Sequence, residues 1–270
     1  MEHFDSLTAA FLGALQGITE FLPVSSSAHL IVASWFFSGK ALPLELNVSL
    51  HVGTFGAVLL YFRSYWWQLG NGFWRKARYG ERSFSTSVLF PCLLWGSVPA
   101  ALFGFFGKDL IEHFFHNPTS TLVPLAGVGI VLWLADTRAP RKRALGELKL
   151  RDGLLIGLAQ ACALIPGVSR SGATIIGGRL LGFKKKDAVE FSFLLGTPAM
   201  LGAALLSAKD MFAYADSPTF YLGVGVSFVS GYLTIKYFIK FLARFNFLAF
   251  AVYRLALCAV ILSMITLAEV

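Results

Sequence analysis

Long stretches without charge leave this chain few ways to fold. Leu122–Ala135 and Leu194–Leu206 contain no charged residue, and Phe247–Leu267 contains only Arg254. A helix that crosses a bilayer needs about 20 mostly apolar residues, and several segments reach that length once their flanks are included. The 270 residues are 56% hydrophobic, with a mean hydropathy of +0.66. The chain therefore reads as an all-α polytopic membrane protein, a single integral membrane domain over 1–270. Its first residues, Met-Glu-His-Phe-Asp, lack the basic start of a cleaved signal peptide, so the first apolar segment is expected to stay.

Two short polar strings interrupt this background. They are Glu20-Phe-Leu-Pro-Val-Ser-Ser-Ser-Ala-His29 and Pro166-Gly-Val-Ser-Arg-Ser-Gly-Ala-Thr174. Polar and ionisable groups at membrane depth are costly and mark functional sites by default. The three cysteines, Cys92, Cys162 and Cys258, lie in apolar segments without a CxxC, which argues against a disulfide framework or a zinc site.

Six spans are expected, near 47–62, 87–107, 119–136, 188–208, 218–238 and 247–267. Two further segments, 6–37 and 152–182, each carry Pro and a polar cluster near the middle. As continuous helices they would turn those groups to lipid; as re-entrant helical hairpins they bury them against protein. With both hairpins entering and leaving on one side, the loops 63–86, 137–151, 183–187 and 239–246 share a face. That face collects 17 of the 23 Lys and Arg, Lys236 at the end of its span included, whereas the other has Lys40, Lys108 and Lys209. Basic residues accumulate on the cytoplasmic side, so the termini and the site are expected to face outward. The same asymmetry accounts for a net charge of +8 without a nucleic-acid partner.

The interrupted segments resemble each other. Gly13 and Gln16 match Gly157 and Gln160 at an offset of 144; Pro23 and Ser26 match Pro166 and Ser169 at 143. Ser49, Gly53 and Thr54 then match Ser192, Gly196 and Thr197, also at 143. Three spans separate the interrupted segments 6–37 and 152–182, so the second is inverted in the membrane; the repeat halves are approximately 6–63 and 150–206. Inverted repeats with broken helices place a site where half-helix N-termini meet, and 20–29 is expected to converge with 166–174.

The residue types suit a phosphate ester or anhydride. Past Pro166-Gly167 a half-helix N-terminus offers N–H groups and a positive dipole end. Arg170 adds a planar fork that can hold two phosphate oxygens, and Ser169, Ser171 and Thr174 add hydroxyls. A simpler account makes these residues helix caps and a buried Arg170–Glu20 ion pair. In the first string, Gln16 and Glu20 share a helix face, and Ser25, Ser26, Ser27 and His29 follow the break at Pro23. A His beside a Ser and a carboxylate can activate a nucleophile, attack phosphorus itself, or protonate a leaving group. Glu20 could orient His29 or ligate a divalent cation. Glu190, Ser192 and Thr197, like Asn47, Ser49 and Thr54, either line the pocket or pack helices. His51 and Arg254 read as structural.

These residues resemble the undecaprenyl-diphosphate phosphatase family, bacterial integral membrane enzymes also linked to bacitracin resistance. The resemblance covers essentially the whole chain and is most specific in EFLPVSSSAH at 20–29, PGVSRSGATI at 166–175 and EFSFLLGTP at 190–198. It implies hydrolysis of the C55 isoprenoid diphosphate carrier of peptidoglycan synthesis to its monophosphate, in the inner membrane, and often a homodimer. It also implies roles for Glu20, Ser26, His29, Ser169, Arg170 and Thr174. Ser26 or His29 would be the nucleophile, and Glu20 would serve the His or a Mg²⁺ or Ca²⁺ ion. The family's first motif usually opens with a second Glu four residues before Glu20, where this chain has Gln16, and reads SSTGH where this chain has SSSAH. Gln keeps an oxygen ligand but removes a negative charge. A second reading, a transporter or flippase of a phosphorylated polyprenyl lipid, suits the half-helices equally but needs no Ser26/His29 pair.

Overall fold

The computed structural model describes residues 5–38, 44–107, 118–206, 208–212, 217–242, 244 and 246–268. Helices α1 (Ser6–Phe21), α2 (Ser26–Ser38), α3 (Leu44–Tyr61), α4 (Arg63–Tyr79) and α5 (Phe90–Phe106) come first, α5 being preceded by a π-helical turn at Ser85–Leu89. They are followed by α6 (Pro118–Arg138), α7 (Leu150–Ala161), α8 (Arg170–Leu180), α9 (Lys185–Leu206), the short α10 (Ala208–Phe212), α11 (Pro218–Phe241) and α12 (Leu248–Ala268). Among the described residues there is no β-strand, only an isolated bridge between Arg143 and Phe183.

Five helical stretches are long and apolar enough to cross a membrane: Ser85–Phe106, Thr119–Arg138, Lys185–Leu206, Pro218–Phe241 and Leu248–Leu267. They coincide with five of the six expected spans, and the protein is a multi-pass membrane protein. The sixth expectation, 47–62, falls on α3, whose apolar stretch Asn47–Tyr61 is shorter than these five. The expected loop at 63–86 is largely the helix α4. Its Trp67, Trp74 and Tyr79 are exposed among Arg63, Arg75, Lys76 and Arg78, a mixture of aromatic and basic side chains suited to a membrane–water boundary. Gly80, at φ 69°, ends it by returning its N–H to the Lys76 carbonyl.

Both interrupted segments are broken helices, and the cause is local. Proline pushes the residue before it out of the helical region; Leu22, before Pro23, has ψ 143°, and Ile165, before Pro166, has ψ 122°. The chain re-enters a helix through a serine in the left-handed region, Ser25 at φ 73° and Ser169 at φ 71°. These two serines are 144 apart, so the breaks correspond one residue away from the Ser26–Ser169 match that residue identity suggests.

Close backbone approach positions the broken helices. α1 packs on α11, with Gly13 so near Gly223 that a Cβ on Gly13 would fall on the Gly223 carbonyl. α7 packs on α5 in the same manner, Gly157 against Gly96. Small residues permit such contacts between membrane helices, where the hydrophobic effect cannot drive association. The main core centres on Phe193, whose ring meets Phe21, Phe62 and Phe238 at centroid distances of 5.2, 6.5 and 6.3 Å. It locks the end of α1 to α9 and α11.

Candidate active site

The two breaks meet. Ser171, in the first turn of α8, donates its hydroxyl to the Leu22 carbonyl in the first break at 3.1 Å. Arg170 Nη2 donates to Glu20 Oε1 at 2.7 Å, and Nη1 to the Ser192 carbonyl on α9 at 3.3 Å. The other carboxylate oxygen of Glu20 accepts from Gln16 Nε2 at 3.0 Å and from Ser26 Oγ at 2.9 Å. Glu20 is therefore a buried hub joining α1, α2 and α8. The ion pair of the simpler account exists, and it also ties a serine hydroxyl to a carboxylate.

The remaining candidates divide into those still accessible and those already engaged. Ser26 is half-buried and Ser27 exposed, so both face open space. Ser25 is buried, its hydroxyl 3.1 Å from that of Ser27. Ser169 caps α8, accepting from the Gly172 N–H at 3.2 Å, and its hydroxyl lies 3.2 Å from that of Ser171. Thr174 is fully buried and donates to the Arg170 carbonyl at 2.8 Å, with the Ser192 hydroxyl 2.6 Å away. Ser169, Ser171 and Thr174 thus shape the Arg170 turn, while Ser26 and Ser27 keep accessible surface and Arg170 is partly buried in its bonds to Glu20 and the Ser192 carbonyl.

His29 is oriented by a residue other than Glu20. Its Nδ1 lies 2.7 Å from the Ser25 carbonyl and its Nε2 2.6 Å from the Tyr253 hydroxyl on α12. Sequence reasoning singled out neither Tyr253 nor a site role for His51, whose Nε2 stands 3.5 Å from Glu20 Oε2. The only signal for Tyr253 was its position beside the one arginine of an apolar run. Glu190 lies elsewhere, paired with Lys186 at 3.6 Å and accepting from the Tyr65 hydroxyl at 3.4 Å.

Arg254 is wholly buried and joins both breaks to α6. It donates to the carbonyls of Pro23, Gly167 and Val168 at 3.1, 2.7 and 3.2 Å, and to those of Leu125 and Pro124 at 2.7 and 3.4 Å. The prolines open the helices and expose these carbonyls; one guanidinium satisfies them from α12.

A divalent cation would need oxygen ligands. Among the described residues no three His, Cys, Asp or Glu side chains cluster. Gln16 Oε1, however, is buried beside Glu20 without a hydrogen-bond partner, a free acceptor where the donor set calls for one.

A family model described as bacitracin resistance protein BacA matches residues 9–260. The chain belongs to that family. It is 44% identical to an undecaprenyl-diphosphatase of Thermomicrobium roseum, over 97% of this chain and 98% of the relative. The undecaprenyl-diphosphatases of Moorella thermoacetica and Alteromonas mediterranea are 38% and 40% identical, covering 95% and 93% of this chain and 97% and 95% of theirs. All three motifs quoted above lie inside the matched residues.

Proposed function

We propose that the protein hydrolyses undecaprenyl diphosphate to undecaprenyl phosphate and inorganic phosphate, regenerating the lipid carrier of cell-wall synthesis. One observation carries the chemistry: Glu20 is bonded at once to the guanidinium of Arg170 and to the hydroxyl of Ser26, at 2.7 and 2.9 Å. Arg170 and the start of α8 receive the diphosphate, and Ser26 Oγ attacks the terminal phosphorus as its proton passes to Glu20. The bond to the bridging oxygen breaks, undecaprenyl phosphate leaves, and water then releases phosphate from Ser26. Phosphoryl transfer depends mainly on positioning and charge stabilisation, which this arrangement supplies. Ser26 rather than His29 is the nucleophile in this reading, since the free nitrogen of His29 is occupied by Tyr253. A Mg²⁺ or Ca²⁺ ion would be held by Glu20 and Gln16 Oε1 and would offset diphosphate charge.

The polyprenyl chain has an apolar place to lie beside the first break. A groove of 810 Å³ runs between α1, α11 and α12, lined by Leu22, Val24, Leu233, Phe241 and Phe250, among others, with the ring of Tyr253 in its wall. We place α1–α2 and α7–α8 as re-entrant hairpins of an inverted repeat, with α3 as the sixth span and the site opening to the periplasmic face of the inner membrane. The basic loops on one side support this topology, and so do the 144-residue spacing of Ser25 and Ser169 and the paired glycine contacts.

The test is phosphate release from C55 isoprenoid diphosphate by purified protein, with and without Mg²⁺ or Ca²⁺. Ser26→Ala should remove it, and His29→Ala should leave only a small residual rate. Release that survives Ser26→Ala would exclude the serine as nucleophile; no release by folded protein would exclude the activity.

A further inference from the structure

Both ring nitrogens of His29 are spoken for, by groups whose chemistry sets where the proton sits. The Ser25 carbonyl, 2.7 Å from Nδ1, can only accept, so Nδ1 carries the hydrogen. In the neutral ring Nε2 then holds the lone pair, and the Tyr253 hydroxyl donates to it across 2.6 Å. The two rings are parallel within 4°, their centroids 5.6 Å apart.

Neither partner is free to drift. Ser25 is the left-handed residue of the first break, at φ 73°, so its carbonyl direction is imposed by the turn. Tyr253 is next to Arg254, whose bonds to the Pro23, Gly167 and Val168 carbonyls bolt α12 to both breaks. The hydroxyl thus arrives at His29 from a helix anchored on the same two turns that carry Glu20 and Arg170. Among the described residues, the hydrogen bonding of Tyr253 goes to His29 alone.

We propose that Tyr253 is the positioning residue for His29: it keeps Nε2 unprotonated and aimed in one direction, ready to exchange a proton during the reaction. This rests on the phosphatase reading above. Histidines that move protons are commonly held by a partner on the other ring nitrogen. Here the backbone takes Nδ1, and the tyrosine presets the reacting nitrogen until substrate displaces its hydroxyl or receives a proton through it.

Tyr253→Phe removes only the hydroxyl and keeps the ring, on a residue that is 46% exposed, so the fold should be retained and its melting temperature unchanged. With C55 isoprenoid diphosphate, kcat should fall about tenfold, the scale of one lost hydrogen bond at a reacting group, with KM within about twofold. In a His29→Ala background the same change should cost less than about twofold, because two residues acting through one group are non-additive. Tyr79→Phe, the same change on an exposed tyrosine of α4 away from the groove, should leave kcat near wild type. A raised KM with unchanged kcat would assign Tyr253 to the lipid chain instead, and losses that multiply with His29→Ala would make the two independent. Either result, or normal turnover by Tyr253→Phe, overturns the inference. No phosphate release by the wild type would defeat the phosphatase reading itself.

Discussion

Where a side chain on residue 196 would begin, the guanidinium of Arg170 lies instead. A Cβ built on Gly196 falls inside the Arg170 head group, so α9 must carry glycine there for Arg170 to reach both Glu20 and the Ser192 carbonyl. Gly196→Ala should therefore swing Arg170 off Glu20. We expect roughly a hundredfold loss of kcat/KM, as when one electrostatic donor is removed from an active site, and a stability cost of about 1–3 kcal/mol from overpacking. Phosphate release and thermal melting of the purified variant measure the two effects separately.

Arg170→Lys asks whether charge alone is enough. A lysine is a point charge and cannot span Glu20 and the Ser192 carbonyl as the fork does. Turnover should fall roughly a hundredfold while a surface change such as Arg75→Lys leaves it unaltered. Near-normal turnover by Arg170→Lys would remove Arg170 from the phosphate site.

Arg254→Met tests the anchor. The substitution keeps volume but leaves carbonyls of both breaks and of α6 without a donor, in a place water does not reach. Losing hydrogen bonds to a buried charged group should cost more than about 3 kcal/mol of stability. Activity should decline with the folded fraction, read by melting in detergent alongside turnover. A stable but inactive variant would instead place Arg254 in the chemistry.

Gln16→Glu adds a carboxylate beside Glu20, where Gln16 Oε1 is already buried and free. The fold should persist, and half-maximal activation should need about tenfold less Mg²⁺ or Ca²⁺ because cation affinity rises with ligand charge. An unchanged metal dependence would exclude position 16 from the metal shell.

Orientation can be read in whole cells. With Cys92, Cys162 and Cys258 replaced by Ser, a Cys at Lys142 should resist an impermeant thiol reagent, and a Cys at Ser217 should label. The reverse pattern would invert the topology.

Part of this molecule is legible along one dimension. Five spans match because their apolar length is a property of consecutive residues. Both breaks fall at Pro23 and Pro166 because proline acts on its immediate neighbours. Gln16 bonds Glu20 because four residues make one helical turn. The loop expected at 63–86 is a helix because counting charges ignores the propensity of a stretch rich in Trp, Arg and Lys to lie helically at an interface.

What the sequence by itself determined is the class of protein, the places where its helices break, and the chemical kinds of side chain at those breaks. Only the tertiary structure decided which group faces which. It turned His29 from Glu20 to Tyr253, 224 residues away. It put the missing Cβ of Gly196 under Arg170 and made Arg254 the clasp of both turns. Hydropathy, proline and helical spacing act over one or two turns of chain. The partner of a buried donor, by contrast, depends on how tilted helices pack against one another, and small residues such as Gly13 and Gly157 set that distance.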